Sequence, residues 1–212
     1  MADFPVIAIG ASIGGLDAVR CIIEALPRNC GAAVCLVMQG DAHPSQLPEI
    51  LMWHGKVPAA FPRDGEPLAV GHVYVAPPDH HMILARGRIQ LDRGAPVHGA
   101  RPAVDPLFVS AALNYGNRVV GVVLSGRSQD GASGLRLIRK HGGLVLVQDP
   151  AEATTPERPA AAAAEDHPDV LPIAQLARRV AQFCAHPLGR QAAEQGESRT
   201  GDPSLDRPPF GS

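Results

Sequence analysis

A serine set between glycines is the residue of this chain best placed to do chemistry. Residues 8–15 read Ala-Ile-Gly-Ala-Ser-Ile-Gly-Gly and follow an apolar run from Val6. Gly10-Ala11-Ser12-Ile13-Gly14 has the G-x-S-x-G spacing, whose glycines permit a sharp strand-to-helix turn that pushes out the serine hydroxyl. The helix after the turn offers free backbone N–H groups to a developing oxyanion, which suits acyl transfer by Ser12. The same turn could cradle a phosphate, because helix N-termini favour any anion.

Serine chemistry also needs a base and an acid that orients it. Asp130 closes the loop Ser125-Gly126-Arg127-Ser128-Gln129-Asp130-Gly131, and spacing alone favours it as the N-cap of a helix over 131–141. Cap and orienting acid are compatible roles. Of nine histidines, only His43 lies in the turn after the second apolar run. Asp79-His80-His81 tempts a metal reading, but adjacent histidines rarely face one ion and no matching ligand cluster is evident, so no metal is expected. A dinucleotide reading is weak. Gly-Ala-Ser-Ile-Gly-Gly resembles the opening turn of short-chain dehydrogenases, and Asp41 stands where a ribose-binding acid would. Ser12, however, takes the second glycine position, and neither Tyr74 nor Tyr115 is followed by lysine at the required distance. No cofactor is expected.

The elements that must position these residues alternate. Val6–Ile9, Ala33–Met38, Val119–Leu124, Leu144–Gln148 and Val170–Leu171 read as strands, the third aliphatic enough to be buried on both faces. Gly14–Ala25, Pro44–Trp53, Asp105–Tyr115, Ala132–His141, Arg158–Glu165 and Ile173–Cys184 read as helices. Val73–Ala76, Met82–Leu84 and Ile89–Leu91 look like a small antiparallel patch. The pattern predicts an α/β fold, a doubly wound, mostly parallel sheet with helices on both faces. Sites in such sheets form at the carboxyl ends of strands, which brings Ser12 and Asp130 towards one edge. The domain is expected over 1–185, followed by a polar, Gly- and Pro-rich tail, 186–212, expected to be disordered.

Bulk properties exclude several classes. The chain has 212 residues, 45% hydrophobic and 19% charged, with a net charge of −2, so nothing points to a nucleic-acid surface or to membrane insertion. Four cysteines without a C-x-x-C pair suggest free thiols in a reducing compartment. No apolar run reaches the roughly 18 residues of a membrane span, and a cytoplasmic protein is expected.

The residues from 4 to 180 resemble the catalytic domain of the chemotaxis receptor methylesterases, protein-glutamate methylesterases of the CheB type. The resemblance rests on Ile9–Gly15, Leu47-Pro48-Glu49-Ile50-Leu51, Asp64-Gly65-Glu66-Pro67-Leu68 and 73–81. It continues through Arg101-Pro102-Ala103-Val104-Asp105-Pro106-Leu107-Phe108, Gly121–Gly126, Asp130–Gly134 and Gly142–Pro150. It implies hydrolysis of glutamyl methyl esters on receptor signalling helices, with release of methanol. It further implies Ser12 as nucleophile, Asp130 as orienting acid, and an oxyanion donor from the backbone N–H of Arg127. Methylated receptor helices are the implied partners. A domain starting at residue 4 leaves no room for a receiver domain, so a stand-alone form is expected, with any control from a separate response-regulator partner.

The match departs at the base. Counting back from Leu47–Leu51, the family's histidine falls on Met38, whose thioether cannot take the serine proton. Ile13 replaces a usual threonine, Arg127 a small residue or methionine, and Arg158 a methionine before Pro159. Two expectations follow: His43 swings in as a substitute base, or the fold has been kept for binding with impaired turnover.

Overall fold

The structure, a computed structural model, describes residues 4–12, 14–40, 46–164 and 168–185. Seven parallel strands form the central sheet in the order β3-β4-β2-β1-β7-β8-β9. They are β1 (Val6–Ser12), β2 (Ala33–Gln39), β3 (Ala59–Ala60), β4 (His72–Val75), β7 (Val119–Val123), β8 (Leu144–Gln148) and β9 (Asp169–Leu171). Strands β5 (His81–Ala85) and β6 (Arg88–Asp92) make a separate antiparallel pair. The antiparallel patch is therefore smaller than expected. The run at 73–76 belongs to the parallel sheet, where β4 pairs with β2, because a strand buried along Val73–Val75 needs cover on both faces. The two-residue β3 carries no periodicity and is not legible in the sequence.

Helices cover both faces. On one, α1 (Leu16–Ala25), α2 (Leu47–His54) and α6 (Ile173–Ala185) enclose a core of Ile7, Ile9, Ile22, Leu36, Leu51, Leu146 and Val180. On the other, α3 (Val104–Tyr115), α4 (Ala132–Lys140) and α5 (Glu157–Ala163) pack with the β5–β6 hairpin over Ala8, Val37, Val123 and Val147. The central strands β1 and β7 are buried along their whole lengths, which explains why their sequences are almost continuously apolar. The chain leaves β1 towards β2 on one side, and leaves β7 towards β8 on the other. The carboxyl ends of β1 and β7 thus flank a topological switch point, the usual crevice for a ligand in an open α/β sheet. Among the described residues, no helix is long and apolar enough to cross a membrane.

Candidate active site

Ser12 is the last residue of β1, at the switch point, and is 8% exposed. Its N–H donates to the Ser125 carbonyl at 3.1 Å, and the Leu124 N–H donates to the Gly10 carbonyl at 2.9 Å, so the loop after β7 is stitched onto β1. That loop is held from its other side as well. The Ser125 N–H reaches Gln148 Oε1 at 2.9 Å, the Gly126 N–H reaches the Thr155 carbonyl at 2.9 Å, and the Arg158 N–H reaches the Gly126 carbonyl at 2.7 Å. A serine at a strand end and a braced Gly-rich loop across the crevice give a nucleophile a fixed surface to work against.

Asp130 follows the same loop and is 1% exposed. Sequence spacing makes it the N-cap of its own helix, and the structure corrects this. The N-cap of α4 is Gly131, at φ 103°, with no side-chain cap. The Asp130 carboxylate instead caps the neighbouring helix α3, accepting from the Val104 N–H at 2.6 Å and the Asp105 N–H at 3.0 Å. Asp105 returns the favour, accepting from the Gly134 N–H in the first turn of α4 at 2.7 Å. Each helix thus supplies a carboxylate to the other's orphan donors, where a negative charge is also favoured by the helix dipole. Gly134 lets the helices approach this closely, since a Cβ there would sit 2.3 Å from Phe108 Cβ.

The side chain beside Asp130 is Gln39, the last residue of β2 and the register partner of Ser12. Its Nε2 donates to Asp130 Oδ2 at 2.6 Å and to the Pro102 carbonyl at 3.3 Å. Its Oε1 accepts from Arg158 Nη2 and, at 3.4 Å, from Ser128 Oγ. The amide can point only one way, because a carboxylate accepts and a guanidinium donates. All four of its hydrogen-bonding positions are occupied, so Gln39 has neither a lone pair nor a proton left for Ser12. Met38, one residue earlier, packs with the opposite core, as strand alternation demands. The count back from Leu47–Leu51 that singles out Met38 crosses residues 41–45, and it lands one residue away from the side chain that meets Asp130.

Arg158, in the first turn of α5, is 1% exposed, the bulkiest of the fully buried side chains. Its Nη2 also donates to Ser128 Oγ at 2.8 Å. Burial pushes the guanidinium below its ordinary pKa, while Asp130 and Asp105 pull it back. Gly126 makes room for it: a Cβ there would come within 2.8 Å of Arg158 Nη1 and 2.9 Å of Ser12 Oγ. Arg158 and Ser12 therefore converge on the notch left by a missing side chain.

The structure brings Ser12, Asp130 and the loop carrying Arg127 to one crevice. His43, Ile13, Asp41 and the tail lie outside the described residues. His80 and His81 do not share a ligand position: His80 Nδ1 lies 2.9 Å from the Pro78 carbonyl and its Nε2 accepts from Arg93, whereas buried His81 accepts from the Ala103 N–H. His98, Asp105 and Asp130 do cluster within 4.8 Å, but both carboxylates are already engaged as helix caps. Gln39, Ser128 and Gln148 are the site residues that sequence reasoning missed. Gln39 could have been found from the end of the second apolar run, which shares a sheet edge with Ser12.

Ser12 at the switch point of a doubly wound sheet, with Asp130 at the end of the loop after β7, gives an α/β domain whose polar residues gather at the carboxyl ends of β1 and β7. Residues 7–180 match the family model described as CheB methylesterase, and the chain belongs to that family. A protein-glutamate methylesterase/protein-glutamine glutaminase of Anaeromyxobacter dehalogenans is 39% identical over 155 residues, covering 73% of this chain and 45% of the relative. One from Xanthomonas campestris is 36% identical over 187 residues, covering 84% and 51%. The chain thus spans about half the length of the curated relatives it matches. The crystal structure of the Thermotoga maritima CheB methylesterase catalytic domain superposes with a TM-score of 0.81 at 27% identity, covering 86% of this chain and all of that one.

Proposed function

We propose that this domain is a carboxylic ester hydrolase of protein glutamyl methyl esters, working without an imidazole base and therefore slowly. The observation that carries it is Ser12 at the β1 end, in register with Gln39, whose amide donates to the Asp130 carboxylate. Ser12 Oγ attacks the γ-carbonyl, and its proton passes to solvent because Gln39 has no free acceptor. Methanol leaves, and water then releases the free glutamyl carboxylate from Ser12. The Arg127 backbone N–H is the oxyanion donor; the neighbouring Gly126 N–H is spent on Thr155. Asp130, which would otherwise orient a base, positions Gln39. The substrates are methylated receptor helices, met in the cytoplasm, with control by a separate response-regulator protein.

Loss of one triad member still leaves roughly 10³–10⁴-fold catalysis over water from the oxyanion hole and binding. Methanol release from methylated receptor fragments, wild type beside Ser12→Ala, tests this. Slow release that disappears in the variant supports the proposal. Release that is equal in both, or absent from both folded proteins, refutes it.

A further inference from the structure

Two of the four cysteines meet in the fold although they stand near opposite ends of the chain. All four thiols are free. Cys30 lies in the turn between α1 and β2, Cys184 in the last turn of α6, and both are buried in the core under α1, α2 and α6. The Gly31 N–H donates to the Cys184 carbonyl at 2.7 Å. Each of those atoms is two bonds from a cysteine α-carbon. The α-carbons therefore lie within about 7.5 Å were every bond in line, against the roughly 4.4–6.8 Å that a disulfide spans. The side chains meet as well. A hydrogen bond with the Cys184 side chain, helped by the backbone at Ala32 and Gly71, outweighs burial and brings the Cys30 thiol from 9.0 to about 7. The same contact, together with burial, pushes the Cys184 thiol up. Near neutral pH one sulfur is thus partly a thiolate while its neighbour keeps its proton. That asymmetry suits the first to attack an electrophile and the second to resolve the product. Cys35 packs on the opposite face of the sheet, and Cys21 is carried by α1.

We propose that Cys30 and Cys184 form an oxidation site that a hydroperoxide closes to an intramolecular disulfide, clamping the end of α6 to the turn before β2. The Cys30 thiolate attacks one peroxide oxygen, the O–O bond breaks, and the departing oxygen leaves as water after taking up protons. Cys30 is then a sulfenic acid. The Cys184 sulfur attacks the Cys30 sulfur, the S–O bond breaks, and the hydroxyl leaves as a second water with the Cys184 proton. Each sulfur has given up one electron, and the peroxide has accepted both. A dithiol reverses the step by exchange. The bond closes at the amino end of β2, whose carboxyl end carries Gln39, so it forms at the sheet edge opposite the candidate active site. It also joins residues distant in sequence, the case in which a cross-link restricts the unfolded chain most.

The test treats the reduced, folded full chain with hydrogen peroxide near pH 7, digests it with trypsin without reductant and maps the bridge by mass spectrometry. The tryptic peptide that carries Cys30 also carries Cys35, so fragmentation of the linked peptide must place the bridge on Cys30. A Cys30–Cys184 link within one chain is expected, absent before treatment and removed by dithiothreitol. Closing it should raise the Tm by about 5 °C or more, and dithiothreitol should reverse the rise. Cys184→Ser should show neither change, whereas Cys21→Ser should show both. No bridge in the folded, treated protein overturns the proposal. So does a bridge that joins two chains or engages Cys21 or Cys35, and an unchanged Tm on closure overturns the clamp. Should Cys184→Ser fail to fold, the fragmentation map of the wild-type protein decides alone. None of these readouts depends on the esterase reading.

Discussion

The side chain that meets Asp130 in this site is Gln39. Glutamine and neutral histidine both combine a donor with an acceptor, so Gln39 can satisfy Asp130 as an imidazole would. It cannot take a proton at neutral pH. Its carbonyl oxygen is moreover committed to Arg158 and Ser128, which locks the amide donor onto Asp130. A general base contributes roughly 10²–10⁴-fold, so restoring one should have a large effect. In the Arg158→Met background, which removes the guanidinium from the imidazole's path, Gln39→His is expected to raise Ser12-dependent methanol release at least a hundredfold. Met38→His should do nothing of the kind, because residue 38 packs into the opposite core. A larger gain from Met38→His would show that the base position has been misplaced.

At the scale of elements, α3 and α4 are joined by exchanged carboxylates, and this gives Asp130 a structural duty separate from chemistry. Asp130→Ala leaves the first N–H groups of α3 without their acceptor, in a buried position. A cost of about 1–3 kcal/mol is expected, from the lost cap and the orphaned donors. Urea denaturation measures it; an unchanged midpoint would contradict the capping role. Such pairings explain what the sequence could and could not convey. The helices and parallel strands were legible because their periodicity and glycine punctuation are local. Which helix Asp130 caps was not, since residues 104–105 meet it only after the sheet has closed. For the same reason Ser12 and Asp130 were legible as strand-end neighbours, whereas the coupling of Gln39 to Arg158 across 119 positions was not. Arg158 stood out as a departure from the family pattern, but a residue type alone does not reveal that its guanidinium is buried against Gln39 and Ser128.

Across the whole molecule, two groups buried beneath the sheet make the fold sensitive to alkali. Burial raises the Cys35 thiol far above its ordinary value of 9.0. Burial, reinforced by Cys35 and partly countered by Arg118, raises the Tyr115 phenol from 10.0 to about 12. Both groups are neutral when protonated, so the folded state keeps protons that the unfolded chain gives up. Their contribution is complete below the unfolded values and is lost as pH climbs from 9 towards the folded ones. Each group then lowers stability by about 1.4 kcal/mol per pH unit inside its own window. Unfolding monitored from pH 9 to 11 should show a steady fall in stability. A rise in stability over that range would contradict this burial.

The pH–rate profile of wild-type methanol release between pH 6 and 9, below that alkaline loss, is the most direct test of a Ser12 site working without an imidazole. With hydroxide taking the serine proton, the rate should climb about tenfold per pH unit with no plateau. A sigmoidal rise that levels off above the ordinary histidine pKa of about 6.5 would contradict the account and turn attention to His43 as the base.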